Sequence, residues 1–246
     1  MYRFFVDKSD VGDTDIYLRN EADIEHLRKS LRATLGMKLS IADSSGWVYI
    51  CSITGIEKDV IVLRIEDKSM DMPESHARIS LFQSIPKSTK MDDVVRKTVE
   101  MGVYEIFPIF TDRTIVSDKG RLAKKVERWN GISLSAAKQS GRAFVPLVHE
   151  PLKGQDILNT LSSFDIIIFP YENEKCITLK DVFQSSDKFV NMSFAVIIGP
   201  EGGFSDNEAN ALIDIGARAC SLGAGILRTE SAAFAALAMM RYEMDM

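Results

Sequence analysis

Residues 197–237 read IIGPEGGFSDNEANALIDIGARACSLGAGILRTESAAFAAL, and their punctuation alternates strand, loop and helix. Phe194–Ile198 is a continuous apolar run with β-branched residues, the pattern of a strand buried on both faces. The loop Gly199-Pro-Glu-Gly-Gly203 follows. Ser205-Asp-Asn-Glu208 then reads as a capping box, in which the Ser205 hydroxyl accepts from the Glu208 backbone N–H and the Glu208 carboxylate reaches back. Ala209, Leu212 and Ile213 continue at helical spacing, and Gly216 supplies a left-handed stop. Arg218–Leu222 is the next short strand, and a second glycine loop, Leu222-Gly-Ala-Gly-Ile226, leads into another helix.

Working outward, this is a strand–helix–strand unit whose crossover is expected to be right-handed, with its two strands neighbours in a parallel sheet. Both glycine loops then leave the carboxyl edge of that sheet. A third apolar strand, Asp165–Phe169, is followed by Pro170-Tyr-Glu172 and adds a loop to the same edge. Open parallel sheets take ligands in the crevice outside the carboxyl ends of their strands, and glycine lets backbone approach a ligand closely. No G-x-x-x-x-G-K-S/T is present, and no G-x-G-x-x-G opens a helix, so neither a triphosphate nor a dinucleotide grip is expected. Taken alone, a Gly-Pro run is equally a plain turn. Two such loops at one edge point to a small-molecule site.

GPEGGFSDNE followed by LGAGILRTESAA resembles the RsmE family of 16S ribosomal RNA uridine N3-methyltransferases, which belong to the knotted SPOUT class. Further matches are Arg3-Phe-Phe-Val6, Ile85-Pro-Lys87, Met91-Asp92, Lys97–Gly102, Arg128-Trp129, Ala136-Ala137 and Gln139-Ser-Gly-Arg142, so the resemblance spans nearly the whole chain. It implies an α/β fold with a mostly parallel sheet and a C-terminal trefoil knot, preceded by a small PUA-like β-barrel. The implied domains are a PUA-like RNA-binding domain over 1–72 and a SPOUT methyltransferase domain over 73–246. The implied cofactor is S-adenosylmethionine, held by three loops. Pro170, Tyr171 and Glu172 belong to the first; Ile198, Gly199, Pro200, Gly202 and Gly203 to the second. Leu222, Gly223, Gly225, Ile226 and Leu227 form the third, with Thr229 and Ala232 from the helix beyond. The same resemblance implies a homodimer whose partner subunit completes the site, and 16S ribosomal RNA or the 30S subunit as substrate. Two positions depart from the family: Gly225 stands where Arg is usual, and Lys138 where Glu is common (AAKQ for AAEQ).

Bulk properties set the class. At 246 residues, 46% hydrophobic and 26% charged, the chain is expected to be a soluble globular protein of one large or two small domains. It shows no membrane-length apolar run and no signal-peptide core, so a cytoplasmic location is expected. Cys51, Cys176 and Cys220 are odd in number and far apart, which argues against a disulfide framework or a zinc knuckle, and no metal is expected. The net charge of −5 is not that of an obvious RNA binder. Only residues 79–150 carry a basic excess, densest at Lys119-Gly-Arg121, Lys124-Lys125 and Arg128. A solvated helix face accounts for that cluster as well as an RNA footprint does.

The N-terminal segment reads as short strands, Tyr2–Val6, Lys38–Ala42, Trp47–Ile53 and Val60–Ile65, around one helix at Ala22–Leu35 that Gly36 ends. Asp67–Pro73 is the expected linker. His26 sits beside Leu27 on that helix and reads as a surface or packing residue. From Ile79 strands alternate with helices: Ile79–Ile85, Met91–Met101, Tyr104–Phe110, Arg121–Ser140, Leu147-Val148, Gln155–Leu161 and Asp165–Phe169. That alternation implies a mostly parallel sheet covered on both faces. Periodicity says nothing of a knot.

Methyl transfer to uracil N3 requires loss or strong polarisation of its proton, and negative charge then spreads over N3, O2 and O4. Arg228, between the third loop and the last helix, is the candidate to stabilise that charge; its alternative is a structural pair with Glu230 or Glu201. Thr229 is the candidate cap of the helix. Glu201 is a candidate general base or partner for a cationic ligand, and equally a solvated loop residue. The resemblance turns Arg3 towards RNA, and Lys87, Arg113, Gln139 and Arg142 towards RNA or the pocket; each alone would be assigned to surface or capping duty. No cysteine sits in an activating environment, so attack by a ring nitrogen fits better than the cysteine chemistry of uracil C5 methylation. Two alternatives remain at this level: a related knotted enzyme acting on another nucleoside or a ribose hydroxyl, and a catalytically silent RNA-binding or ribosome-assembly module.

Overall fold

The structure is a computed structural model that describes residues 1–70, 77–115, 120–183, 189 and 191–244. It divides into two compact units, Met1–Pro73 with Ala137–Val145, and Glu74–Ala136 with Pro146–Met246.

Among the described residues the first unit holds one five-stranded sheet: β1 (Arg3–Phe5), β2 (Asp15–Leu18), β3 (Lys38–Ala42), β4 (Trp47–Glu57) and β5 (Val60–Met70), in the order β1-β3-β4-β5-β2. β1 and β3 pair in parallel and the other pairs are antiparallel. Alternate residues of each strand, including Ile16, Leu18, Leu39, Ile41, Ile53, Ile61 and Leu63, fill one core. β2 was not anticipated, although Ile16 and Leu18 alternate as a strand requires. β4 and β5 outrun their expected ends because their ladder tolerates two register shifts, at Ile50/Cys51 and Ile53/Gly55. Asp67–Met70, expected to open the linker, are therefore strand, and 71–73 lie outside the described residues.

The expected helix Ala22–Leu35 is shorter. Helix α1 (Glu21–Glu25) is capped by the Asn20 side chain, which accepts from Asp23 N at 3.1 Å, and it widens into a π turn over His26–Ser30. Arg32 then takes a positive φ of 49°, and Gly36 N donates to Ile53 O at 2.8 Å, which draws the chain into the sheet before another turn can form. His26 packs against the Phe4 ring at 6.2 Å between centroids. Ala137–Val145 belong to this unit, and several contacts tie them to it. Lys138 Nζ lies 2.5 Å from Asp23, Arg3 donates to the Gly141 carbonyl, and Ala143 packs with Ala42 and Val48.

The second unit is a parallel sheet of β6 (Ala77–Ser84), β7 (Glu105–Phe110), β8 (Leu147–Val148), β9 (Leu152–Lys153), β10 (Ile166–Pro170), β11 (Met192–Ile198) and β12 (Arg218–Cys220). Its order is β12-β10-β11-β6-β7-β8, with β9 also on β7. The helices are α2 (Lys90–Glu100), α3 (Leu122–Ser140), α4 (Gln155–Leu161), α5 (Leu179–Phe183), α6 (Asp206–Asp214) and α7 (Thr229–Glu243). Ala195 and Ile197 of β11 pack with Phe82, Phe107, Phe169 and Phe204 on the face that Leu212 of α6 and Ile157 of α4 cover. α7 packs on β6 and β11 and against α2, where Ala233, Ala236 and Met240 are wholly buried. Ala233, Ala236 and Met240 thus line a core face of α7 within this chain. Covering of both faces explains the unbroken apolar run of β11.

One expectation is corrected. β11 and β12 are not neighbours, because β10 lies between them and pairs with both. The crossover through α6 skips a strand, and the loop after β10 emerges between the two glycine loops.

At the amino end of the sheet, Glu105 accepts from Ser80 Oγ at 2.9 Å and lies 2.7 Å from His149 Nε2, whose ring stacks on Phe107. At the end of α2, Gly102 has φ +90°, and a Cβ there would lie 1.9 Å from Arg241 Nη1, which donates to the Met101 carbonyl at 2.6 Å. Among the described residues no helix is long and apolar enough to cross a membrane.

Candidate functional site

Because β10, β11 and β12 run parallel, the three loops after them share the carboxyl edge of the sheet. The first and third are stitched together. Tyr171 N donates to Cys220 O at 3.0 Å, Ser221 N to Ile177 O at 2.8 Å, and Leu179 N to Ser221 O at 3.1 Å. Within the first loop Glu174 accepts from the backbone of Ile177 and Cys176, and these bonds hold its carboxyl below the usual carboxylate range.

The second loop is fixed from two sides. Arg113 Nη1 donates to Gly202 O at 2.8 Å, and Ser205 Oγ donates to Asp112 Oδ2 at 2.6 Å. The capping box forms as read, with Ser205 and Glu208 bonded in both directions. Gly203 has φ +70°, and a Cβ there would meet Glu172 Oε1 at 2.2 Å; one on Gly199 would meet the Phe204 ring at 2.7 Å. At Gly202 a Cβ would make only ordinary contact with Arg113. The requirement for glycine falls on Gly199 and Gly203.

The third loop is tightened by Ser221, whose hydroxyl donates to Gly223 O at 3.0 Å and accepts from Gly223 N at 3.1 Å. Residues 223–228 are exposed, Ile226 to 89%. Gly225 has open space around its Cα, so the missing Arg of the family leaves no steric gap to explain.

Beneath the loops, Gln83 Nε2 donates to Thr229 Oγ1 at 2.9 Å, and Thr229 Oγ1 donates to Gly199 O at 2.6 Å. Thr229 is therefore not the cap of α7: its hydroxyl is spent on the second loop, and Arg228 occupies the N-cap position with extended backbone and an exposed side chain. Pro170, Tyr171, Leu222 and Ala232 are half-buried around the edge, Ile198 and Pro200 are buried, and Glu172, Glu201 and Leu227 are exposed.

Lys90, at the start of α2, was missed. Its Nζ lies 3.2 Å from Glu230 and 3.7 Å from Glu201, and Lys87 N also approaches Glu201, at 3.5 Å. Burial pushes the Glu230 carboxyl up, but its own backbone N–H, Lys90 and Arg228 outweigh that and hold it low. The pairing considered for Arg228 is thus taken up by Lys90. A lysine just beyond β6, at the same edge, was the available signal.

The residues expected to face RNA divide between the units. Lys87 and Arg113 are exposed in the second, although Arg113 is engaged with Gly202. In the first, Gln139 is exposed and Arg3 bonds Ser40 and Gly141. Arg142 is only 8% exposed, with its guanidinium 4.3 Å from the Phe144 ring centroid, so it is a packing residue here and not a free surface cation. Of the basic cluster, Lys119 lies outside the described residues and Arg128 is paired with Asp92. Burial pushes the Cys51 and Cys220 thiols up to about 12, and Cys176 is exposed.

A cavity of about 250 Å³ lies between the loop after β7, the start of α4 and α6. It meets the second loop only at Phe204 and is distinct from the edge where the three loops gather. That edge offers main-chain amides and carbonyls held by glycine turns, carboxylates at Glu172 and Glu201 for a cationic group, and Arg228 at the positive end of α7 for an anionic one. The donor set suits a small ligand carrying hydrogen-bonding groups and a positive charge.

Residues 73–241 match the family model of the RNA methyltransferase domain. The ribosomal RNA small subunit methyltransferase E of Bacillus subtilis is 25% identical over 253 residues, covering 100% of this chain and 98% of the relative. That of Aquifex aeolicus is 31% identical over 193 residues, covering 76% and 78%. The crystal structure of the Neisseria gonorrhoeae ribosomal RNA small subunit methyltransferase E bound to S-adenosyl methionine superposes with a TM-score of 0.84 at 30% identity, covering 98% of this chain and 97% of that one.

Proposed function

The chain belongs to the ribosomal RNA small subunit methyltransferase E family, and from that premise we propose that it transfers the methyl group of S-adenosyl methionine to N3 of a uridine in 16S ribosomal RNA. The observation that carries this reading is the gathering of three main-chain loops at one sheet edge, the second of them shaped by Gly199, whose Cβ would meet the Phe204 ring, and by the left-handed backbone of Gly203. When bound, the cofactor supplies an electrophilic methyl group on a sulfonium sulfur.

The chain's own residues supply the rest. Main-chain atoms of the loops 198–203 and 222–227 hold the donor, with Pro170, Tyr171 and Glu172 closing the first side and Thr229 and Ala232 the floor. Glu201 receives the N3 proton as the N–C bond forms, which leaves the ring neutral after transfer. Arg228, aided by the α7 amino end, stabilises negative charge on the uracil oxygens while the proton is leaving. Lys90 pairs with Glu230, whose carboxyl it helps to hold low, and lies 3.7 Å from Glu201, fixing both side chains at the edge. Buried, strongly protonated Cys51 and Cys220 favour a ring-nitrogen acceptor over C5 chemistry.

The finer architecture belongs to the same proposal. Residues 1–72 act as a PUA-like RNA-binding barrel, supported by their five-stranded mixed sheet, and 73–246 as the knotted catalytic domain. Arg3, Gln139, Lys87 and Arg113 contribute to RNA binding. Exposed Ile226, Leu227 and Met239 favour a homodimer that works in the cytoplasm, where its ribosomal RNA substrate is.

The test is methyl transfer from labelled donor to small-subunit RNA, followed by nucleoside mass spectrometry. 3-Methyluridine is the expected product. Label at a ribose or at C5, or none, would replace this reading.

A further inference from the structure

We infer that Gln83 is a positioning residue for the donor-binding loop: its buried carboxamide sets the direction of the hydrogen bond by which Thr229 holds Gly199. The inference rests on the methyltransferase reading above, because it concerns the same pocket. Gln83 is the penultimate residue of β6, opposite Ile198 of β11 and Pro108 of β7, and is completely buried.

A carboxamide nitrogen carries two hydrogens. One is given to Ser84 O at 2.9 Å and the other to Thr229 Oγ1 at 2.9 Å. Since the Thr229 oxygen accepts from Gln83, its single hydrogen goes to Gly199 O, at 2.6 Å. Turning the amide over would set its oxygen against the Ser84 carbonyl, acceptor to acceptor, so the order of donors is fixed. The relay ties the first residue of the second loop to the first residue of α7, 30 positions later in the chain. On its other side Gly199 abuts the Phe204 ring, so the loop is clamped between an aromatic wall and a directed hydroxyl.

Gln83 Oε1 is left without a partner among the described residues. Folded proteins rarely keep a buried acceptor bare. This one stays so because both hydrogens of its nitrogen are engaged in holding the relay.

The test is calorimetric affinity of the full-length protein for S-adenosyl methionine and for its neutral demethylated product. Q83E keeps size but offers at most one hydrogen where the amide gave two, so Ser84 O and Thr229 Oγ1 can no longer both be served and the hold on Gly199 weakens. Both ligands are expected to bind about tenfold more weakly, the effect of one buried hydrogen bond. T229V should show the same loss and T229S, which keeps the hydroxyl, should restore affinity. The double variant Q83E/T229V should be no worse than T229V alone, because the two residues act through one bond. Turnover at saturating donor should fall much less than affinity. Should the new carboxylate prevent folding, Q83M removes the donors at similar volume and carries the same expectation. Folded variants with wild-type affinity, or a double variant whose losses multiply, would overturn the inference. If the wild-type protein bound neither ligand, the functional reading itself would fall and this one with it; wild-type binding with indifferent variants sinks only the role of Gln83.

Discussion

The guanidinium of Arg113 donates to the carbonyl of Gly202 at 2.8 Å, which joins the turn after β7 to the glycine loop after β11 across 89 positions of sequence. An arginine expected to face RNA or the pocket is thus, in this chain, a strut of the pocket wall.

Removing that strut should loosen the second loop without touching the core. R113A is expected to raise the dissociation constant for the methyl donor about fivefold, in keeping with a loss of about 1 kcal/mol for a partly exposed charged hydrogen bond. Calorimetry on the purified variant checks this. An affinity equal to wild type would make the contact incidental.

Arg228 should behave in the opposite way. Its side chain is exposed and makes no cap bond, so R228A should melt at the wild-type temperature. Single-turnover transfer should nonetheless slow by about a hundredfold, the usual effect of deleting one stabiliser of developing negative charge. A variant that transfers methyl at the normal rate would exclude the guanidinium from the chemistry.

Two glycines a short distance apart in function should separate cleanly. G203A forces a side chain into a left-handed backbone and against Glu172, at a cost of about 1–2 kcal/mol or more, and should lose donor binding. G225A meets nothing and has ordinary φ, so it should bind as wild type does. Equal behaviour of the two in a titration would refute the cradle.

Acid should weaken the second unit through Glu105. Burial raises its carboxyl pKa, but hydrogen bonds from His149 and Ser80 outweigh burial and set it below the ordinary 4.5. A folded value below the unfolded one contributes stability that is complete above about 4.5 and disappears as pH falls through the folded value. Urea midpoints at pH 7, 4 and 3 should therefore decline less steeply in E105Q than in wild type. A wild-type slope in E105Q would assign the acid loss elsewhere.

Thiol chemistry gives a simpler check. Under native conditions at neutral pH, iodoacetamide should modify Cys176 alone, since Cys51 and Cys220 are buried and pushed up to about 12. C220A should retain methyl transfer, and its failure in a properly folded variant would reopen cysteine chemistry.

Much of this fold was legible because its signals are local. The capping box Ser205–Glu208, the stop at Gly216 and the apolar run of β11 each follow from neighbouring residues, and each formed as read. What failed depended on distant partners. The intrusion of β10 between β11 and β12 is a matter of pairing that periodicity cannot encode. The early end of α1 arises from a hydrogen bond between Gly36 and Ile53, and the burial of Arg142 from the ring of Phe144. At the site, the glycines were visible but their order of importance was not. Gly203 rather than Gly202 is the demanding position because its backbone is left-handed at φ +70°, a conformation the sequence GPEGG does not assign to one glycine over the other. Gln83 and Lys90 escaped notice because a lone polar residue at a strand end, or a lysine at a helix start, has no signature until its partners are known.

The segment Ala137–Val145, which belongs with the first unit, has a consequence for biosynthesis. A nascent chain that has emerged only as far as residue 73 holds the five described strands of that unit but lacks Gly141 for Arg3 and Lys138 for Asp23. Its final closure must wait for translation to reach the 140s. A truncated gene product ending at the apparent boundary would be born with an open seam, vulnerable to proteases that spare the complete protein.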